Sequence, residues 1–159
     1  GIAVDNFDDY DDILSPRADY SKKVINFGDV NADIMPLSAT LTITNRGGAP
    51  LYVRDVRCTE EWAVSHTIKV GDEIEAGETR VYDVELNISQ SYLPIVDYGT
   101  ATLLSGKIPE GKPFNARIVL TTNDAMVPYQ VITLKAQYHY PKRGLKIDGN
   151  EKRKRTKRK

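Results

Sequence analysis

Ser38-Ala39-Thr40-Leu41-Thr42-Ile43-Thr44-Asn45 runs directly into Arg46-Gly47-Gly48-Ala49-Pro50 and then Leu51-Tyr52-Val53. Along the first stretch Ala39, Leu41 and Ile43 point one way and Thr40, Thr42 and Thr44 the other, the period of two of a half-buried antiparallel strand. The residues from Asn45 to Gly48 tolerate positive φ and Pro50 fixes its own, so the chain reverses before Leu51. The same alternation returns at Tyr82, Val84, Leu86 and Ile88, separated by Asp83, Glu85 and Asn87. Phe114, Ala116, Ile118 and Leu120 alternate into Thr121-Thr122-Asn123-Asp124, and Ile132, Leu134, Ala136 and Tyr138 alternate in a final strand.

Between these anchors the pattern is less regular. Val24, Ile25 and Phe27 make a short strand ending at Gly28. After Leu51, Leu51 and Val53 share one face while Val56 and Cys58 fall on the other. A one-residue shift of this kind predicts a bulge near Arg54-Asp55 or a strand that changes sheets. Trp62, Val64, Ile68 and Val70 keep a spacing of two with a break at Ser65-His66, and residues 72–78 read as a loop. Pro94, Gly99, Gly106, Pro109, Gly111 and Pro113 interrupt residues 91–113, which predicts a long loop or lengthened hairpin. Seven or eight short antiparallel strands without a helical period predict an all-β fold, a β-sandwich.

A chain of 159 residues with 40% hydrophobic content is enough for one core. Its formal net charge of zero hides a division. Residues 142–159 carry ten Lys or Arg against Asp148 and Glu151, a net of +8, so the rest of the chain sums to −8. Asp5, Asp8, Asp9, Asp11 and Asp12 crowd the first twelve positions. The expected organisation is a disordered acidic leader over residues 1–22, a sandwich over 23–141, and a disordered basic tail over 142–159. No run approaches the roughly 18 apolar residues needed to span a bilayer, and no charged segment followed by an apolar one opens the chain. Gly1 is an unusual first residue for a natural chain, so the expectation is a chain trimmed at its start.

Phe27-Gly28, Asn45-x-Gly47-x-x-Pro50-Leu51, the Gly77-Glu78 loop before a long strand, and Thr122-Asn123-Asp124 before the last strand occur in an order that resembles the bacterial DUF1573 family. That family is similar to the ASH and major-sperm-protein group of immunoglobulin-like sandwiches, and the resemblance covers about residues 23–138. It implies an immunoglobulin-like topology and a periplasmic, outer-membrane or cell-surface location, with the signal removed; a cytoplasmic location is the alternative. Two departures stand out. Members often carry Cys-x-Cys after the third strand where this chain has Cys58-Thr59-Glu60, and residues 91–113 are longer than in a plain member.

The residues offer little to a reaction. Cys58 is the single cysteine and His66 and His139 the only imidazoles, so neither a disulfide framework nor a zinc spacing exists. Cys58 reads as a small buried hydrophobe rather than a nucleophile. Asp29-x-Asn31-x-Asp33 lacks the glycine and closing Glu of a calcium loop and reads as turn-forming residues. Asn87-Ile88-Ser89 matches a glycosylation sequon inside a strand pattern and is read as accidental. No catalytic residue, cofactor or metal is therefore assigned.

Two features point to partners. Lys152, Arg153, Lys154, Arg155, Lys157, Arg158 and Lys159 suit an anionic envelope polymer, a lipid surface or, non-specifically, nucleic acid. The absence of aromatic residues in this run argues against base stacking. The last strand, bounded by Pro128 and Pro141, is expected to lie at a sheet edge, where Tyr129, Tyr138 and Tyr140 would contact a protein partner through strand addition. The leading reading is a non-enzymatic binding or scaffolding module of the bacterial envelope. A nucleic-acid-associated protein working through its tail is the alternative, and an enzyme with a site in residues 91–113 stands third. Oligomeric state is not legible.

Overall fold

The computed structural model describes residues 14–93 and 110–141. Within them the alternating stretches form nine strands: β1 (Ala18–Tyr20), β2 (Val24–Val30), β3 (Leu37–Asn45), β4 (Leu51–Cys58), β5 (Val64–His66), β6 (Glu73–Ile74), β7 (Thr79–Leu86), β8 (Lys112–Thr122) and β9 (Tyr129–Tyr138). One sheet has the order β1-β3-β7-β5 and the other β2-β9-β8-β4-β6. The fold is all-β, with two layers as expected. The expectation of antiparallel strands throughout needs one change, because β2 runs parallel to β9.

The core lies where the period of two places it. Leu41, Ile43, Val84 and Leu86 from one sheet and Leu51, Val53, Ile118, Leu120, Ile132 and Leu134 from the other are each at most 1% exposed. Two layers each burying one face of alternating apolar side chains is the condition a sandwich satisfies. In β4 the register shifts between Val53 and Asp55, as the out-of-phase apolar residues predict. The bulge turns Val56 and Cys58 back to the side of Leu51 and Val53, and both pack against the core.

Three local expectations are corrected. Only Val64, Ser65 and His66 of the Trp62 to Val70 run form a strand; Trp62 and Val70 are 51% and 60% exposed, and the chain turns at both. The loop over residues 72–78 contains β6, whose Ile74 is buried and pairs with Leu51. The leader expected over 1–22 contains β1, which pairs Ala18 with Asn45 and Tyr20 with Ile43 and buries the Tyr20 ring. A three-residue strand is too short to show a period in the sequence. Residues 1–13, 94–109 and 142–159, with the remaining expectations for the leader, the long loop and the basic tail, lie outside the described residues.

Polar side chains from the turn motifs tie the strands together, and the buried Asn45 reaches from one layer to the other. Asn45 Nδ2 donates to the carbonyls of Ala49 and Ile74, while Oδ1 accepts the N–H groups of Arg17 and Gly47. Asn123 accepts from Tyr52 N and donates to the Pro50 carbonyl. A Cβ on Gly47 would overlap the Ser15 carbonyl oxygen, so the glycine permits a close backbone approach.

Sheet edges in this fold offer little purchase. β1 and β5 have three residues each and β6 has two. β2 is longer, but its register breaks between Asn26 and Asp29, where Gly28 has φ +74° and its N–H is taken by Asn26 Oδ1. Short strands and bulges are the usual protection against edge pairing.

Candidate functional site

β8 and β9 run through the interior of the five-stranded sheet, and their alternation decides which residues reach solvent. With Phe114, Ala116, Ile118 and Leu120 buried on β8, Asn115, Arg117 and Val119 stand on the outer face; Thr133, Lys135 and Gln137 of β9 stand beside them. The register pairs Asn115 with Lys135 and Arg117 with Thr133. Two open depressions mark this face. One, of about 440 Å³, is lined by Thr59, Glu60, Asn115, Arg117 and Thr133; the other, of about 300 Å³, is lined by Asn26, Asp29, Asn115, Lys135 and Gln137. Sharing Asn115, they form one trough reaching from β2 across β9 and β8 to the end of β4.

The trough is firmly built. Thr59 extends the β4–β8 ladder, its N–H donating to the Arg117 carbonyl and its hydroxyl accepting the Arg117 N–H at 2.8 Å. The two carboxylates on the trough are already engaged: Asp29 Oδ1 lies 2.8 Å from His139 Nε2, and Glu60 Oε1 accepts the Trp62 indole N–H at 2.8 Å. Arg117 and Lys135 have no ion-pair partner among the described residues.

Glu60 also connects the trough to an aromatic ladder. Its φ of +55° is the left-handed conformation that side chains other than Gly and Asn rarely adopt. The Glu60 carbonyl accepts the N–H groups of Ala63 and Val64, so the chain turns sharply and leaves Trp62 at the surface. Ring centroids lie 5.8 Å apart for Trp62 and Phe114, 5.7 Å for Trp62 and Tyr92, and 5.9 Å for Tyr92 and Tyr138. The ladder thus runs from rings 1% exposed at Phe114 and Tyr138 out to the half-exposed indole. Lys112 Nζ sits 3.9 Å from the centroid of the Tyr92 ring and donates to the Tyr92 carbonyl.

The candidate reactive groups are occupied by the fold. The Cys58 thiol contacts the Thr59 carbonyl, and burial followed by the charges of Glu61 and Glu60 pushes its pKa up, opposite to the shift that activates a thiol. His66 Nδ1 accepts the Ile68 N–H and burial lowers its pKa, so the ring closes a turn as a neutral imidazole. Asn31 Oδ1 accepts the Asp33 N–H, which is the turn role read from the sequence.

The edge assigned to Tyr129, Tyr138 and Tyr140 is corrected at Tyr138 and Tyr140. β9 pairs with β8 along its length and with β2 from Thr133 to Tyr138, so only the stretch from Tyr129 to Ile132 has no strand on its β2 side. Tyr138 and Tyr140 are 1% and 9% exposed, and only Tyr129, at 67%, reaches solvent. The parallel pairing of β2, formed by residues more than a hundred positions away, could not be read from Pro128 and Pro141. Trp62, Arg117 and Lys135 were not singled out by the sequence. The available signal was a lone tryptophan after Glu60-Glu61, in a run whose alternation breaks.

No family model and no curated protein sequence matches this chain. Among solved structures, a protein of unknown function from Porphyromonas gingivalis W83 superposes with a TM-score of 0.56 at 17% identity, covering 79% of this chain and 48% of that one. The chain thus spans about half the length of that protein. The ASH/PapD-like domain 7 of human CEP192 gives 0.47 at 10% identity, covering 80% and 88%, and WR4, a Caenorhabditis elegans MSP family member, gives 0.45 at 14%, covering 76% and 96%. The last two scores are below 0.5 and carry no further argument. No helix among the described residues is long and apolar enough to cross a membrane. The chain is an all-β sandwich of two packed sheets, and the superposition on the Porphyromonas gingivalis protein agrees with that fold.

Proposed function

We propose that this chain is a non-enzymatic binding or scaffolding module of the bacterial cell envelope, related to the DUF1573 family. The observation that carries the reading is the outer face of the five-stranded sheet, where polar side chains line two open depressions, while the one cysteine and both histidines are tied into the framework. A rigid, largely pre-formed surface lowers the ordering cost of binding without requiring chemistry.

The family part of the proposal rests on the order of the Asn45, Gly47 and Asn123-Asp124 motifs, of which Asn45 and Asp124 bond from one sheet to the other and Asn123 ties the β8–β9 turn to β4. The basic run from Lys152 to Lys159 adds a salt-sensitive contact with an anionic surface. Its test is a salt titration of binding to lipopolysaccharide, anionic vesicles and duplex DNA. The full chain is compared with one in which Lys152, Arg153, Lys154, Arg155, Lys157, Arg158 and Lys159 are Gln. Six phosphate contacts with duplex DNA give a slope of log K against log salt of about −5. Envelope material preferred over DNA, with binding lost in the Gln variant, supports the envelope reading. Preference for DNA favours a nucleic-acid role.

A further inference from the structure

We infer that the open edge of β9, from Tyr129 to Ile132, accepts an added strand, and that its occupant is the acidic leader of the same chain, residues 1–13. The inference goes beyond the binding-module reading and does not depend on it.

The edge is defined by register. β9 pairs with β8 from Tyr129 to Tyr138 but with β2 only from Thr133 onward. The Thr133 N–H donates to the Lys23 carbonyl at 2.9 Å, on the β2 side. Backbone groups two residues apart on a strand point the same way, so those of Tyr129 and Val131 also face that side. No strand meets them there among the described residues. Instead the Val131 carbonyl accepts the side-chain Nε2 of Gln130 at 3.0 Å. Free backbone groups in a row on an exposed strand are a template for another strand.

The surroundings suit a chain that is both apolar and acidic. Tyr129, Val131 and Val24 are exposed on the outer face, with Val24 opposite Thr133 and Val119 opposite Val131, so an apolar strip borders the open edge. Lys22 and Lys23 are exposed where β2 begins, and neither has an ion-pair partner among the described residues. The other charges on this side are the pairs Arg17–Asp124 and Arg46–Asp19. Four cations against two carboxylates leave the edge positive.

Length and charge choose among the segments of this chain outside the described residues. The leader joins at Leu14, just before the Ser15 carbonyl accepts from Gly48 N and the Ala18 N–H donates to Asp124, at the end of the sandwich where β9 begins. Its thirteen residues extend to about 40 Å at about 3.3 Å each, enough to turn and run back along four residues of β9. It carries Asp5, Asp8, Asp9, Asp11 and Asp12 among apolar residues that include Val4, Phe7 and Tyr10.

The other two segments fit less well. Residues 94–109 are flanked by Leu93 and Glu110 at the opposite end, where Lys112 pairs with Tyr138 and the Tyr92 hydroxyl bonds to Pro113. From there to Tyr129 and back is about 60 Å, more than sixteen residues at about 3.3 Å each can span. Residues 142–159 also start at that end, and their net charge of +8 repels Lys22 and Lys23. A leader tethered beside the edge has the further advantage of a high effective concentration over the same segment of a second copy.

The test is nuclear magnetic resonance on the full chain at low salt. Cross-strand nuclear Overhauser contacts are expected between residues 1–13 and Tyr129–Ile132, in a monomer by sedimentation. Two variants remove the pairing from its two sides. Val131→Pro blocks the edge while sparing the bonds to β8, because the lost N–H faces away from that strand. Asp5→Asn, Asp8→Asn, Asp9→Asn, Asp11→Asn and Asp12→Asn together discharge the leader without touching the sandwich. In both, amide exchange at Tyr129 should be at least about tenfold faster than in the native chain, and exchange at Leu134 unchanged, which also shows that the sandwich is folded.

Equal exchange at Tyr129 in the native chain and either variant, contacts to the edge from residues 94–109 or 142–159, or no contacts at all overturns the inference. Leader contacts found only in a concentration-dependent dimer overturn it as well, by assigning the edge to a second copy.

Discussion

The Asp124 carboxylate accepts the backbone N–H of Ala18 at 2.9 Å, across 106 positions of sequence and from one sheet to the other. Asp124 is 2% exposed, and its other oxygen accepts the N–H groups of Met126 and Val127 and lies 3.8 Å from Arg17 Nη1. One side chain thus shapes the β8–β9 turn and holds β1 to the body of the sandwich.

Asp124→Ala is expected to lower stability by about 2–4 kcal/mol, because several buried N–H groups lose their acceptor together. Asp124→Asn, which retains one carbonyl oxygen, should lose less. Urea denaturation measures both. Hydrogen exchange at Ala18 should accelerate more than at Leu134 if β1 detaches first, and equal acceleration would show that β1 is not held separately.

Two tyrosine hydroxyls make opposite predictions. Among the described residues, Tyr20 Oη is buried with no hydrogen-bond partner, and burial together with Asp124 pushes its pKa up to about 12. Tyr82 Oη donates to Asp72 Oδ2 at 2.8 Å, and burial and that bond raise its pKa. Tyr20→Phe should be neutral or slightly stabilising, while Tyr82→Phe should cost about 1–2 kcal/mol. Thermal unfolding of the two variants side by side decides the matter, and a larger loss at Tyr20 would contradict it.

Gly47 and Gly77 are both turn glycines, constrained differently. A Cβ at Gly47 meets the Ser15 backbone, whereas Gly77 has φ +82° with open space where a Cβ would go. Gly77→Ala should cost about 1 kcal/mol from backbone strain. Gly47→Ala should cost more and loosen the segment preceding β1. Chemical denaturation with limited proteolysis near Ser15 reads both effects.

His66 gives the fold a specific acid sensitivity. Its folded pKa lies below its ordinary value of 6.5 because burial disfavours the charged ring. The unfolded chain therefore binds the proton more readily. The contribution of His66 is fully present above pH 6.5 and is lost as pH falls from there through the lower folded pKa. The difference in stability between the native chain and His66→Gln should be constant above neutrality and shrink below pH 6.5. A difference that does not vary with pH would show that the ring is not held neutral.

Cys58 should react slowly. Burial, Glu61 and Glu60 all raise its pKa, so at pH 8 its alkylation by iodoacetamide should lag behind that of an unstructured thiol. Faster alkylation would reopen a nucleophilic role.

The amino-acid sequence by itself determined which faces are buried. Alternation at Leu41 and Ile43, at Val84 and Leu86, and from Phe114 to Tyr138 is a local property, and one wrong phase would expose the whole apolar set. The bulge near Asp55 was legible for the same reason, since an apolar run out of phase with itself has to be brought back. Strand neighbours were decided only in three dimensions. That β2 covers β9, burying the edge on which Tyr138 and Tyr140 were expected to work, depends on a parallel pairing with no turn signal between the strands. β1 and β6 are too short to carry a period, and they are held by Asn45 and Asp124 acting from distant turns. The trough was hidden for a related reason: Arg117 and Lys135 look like ordinary solvent-facing residues until register places them on adjacent strands, with the neighbouring acids already engaged.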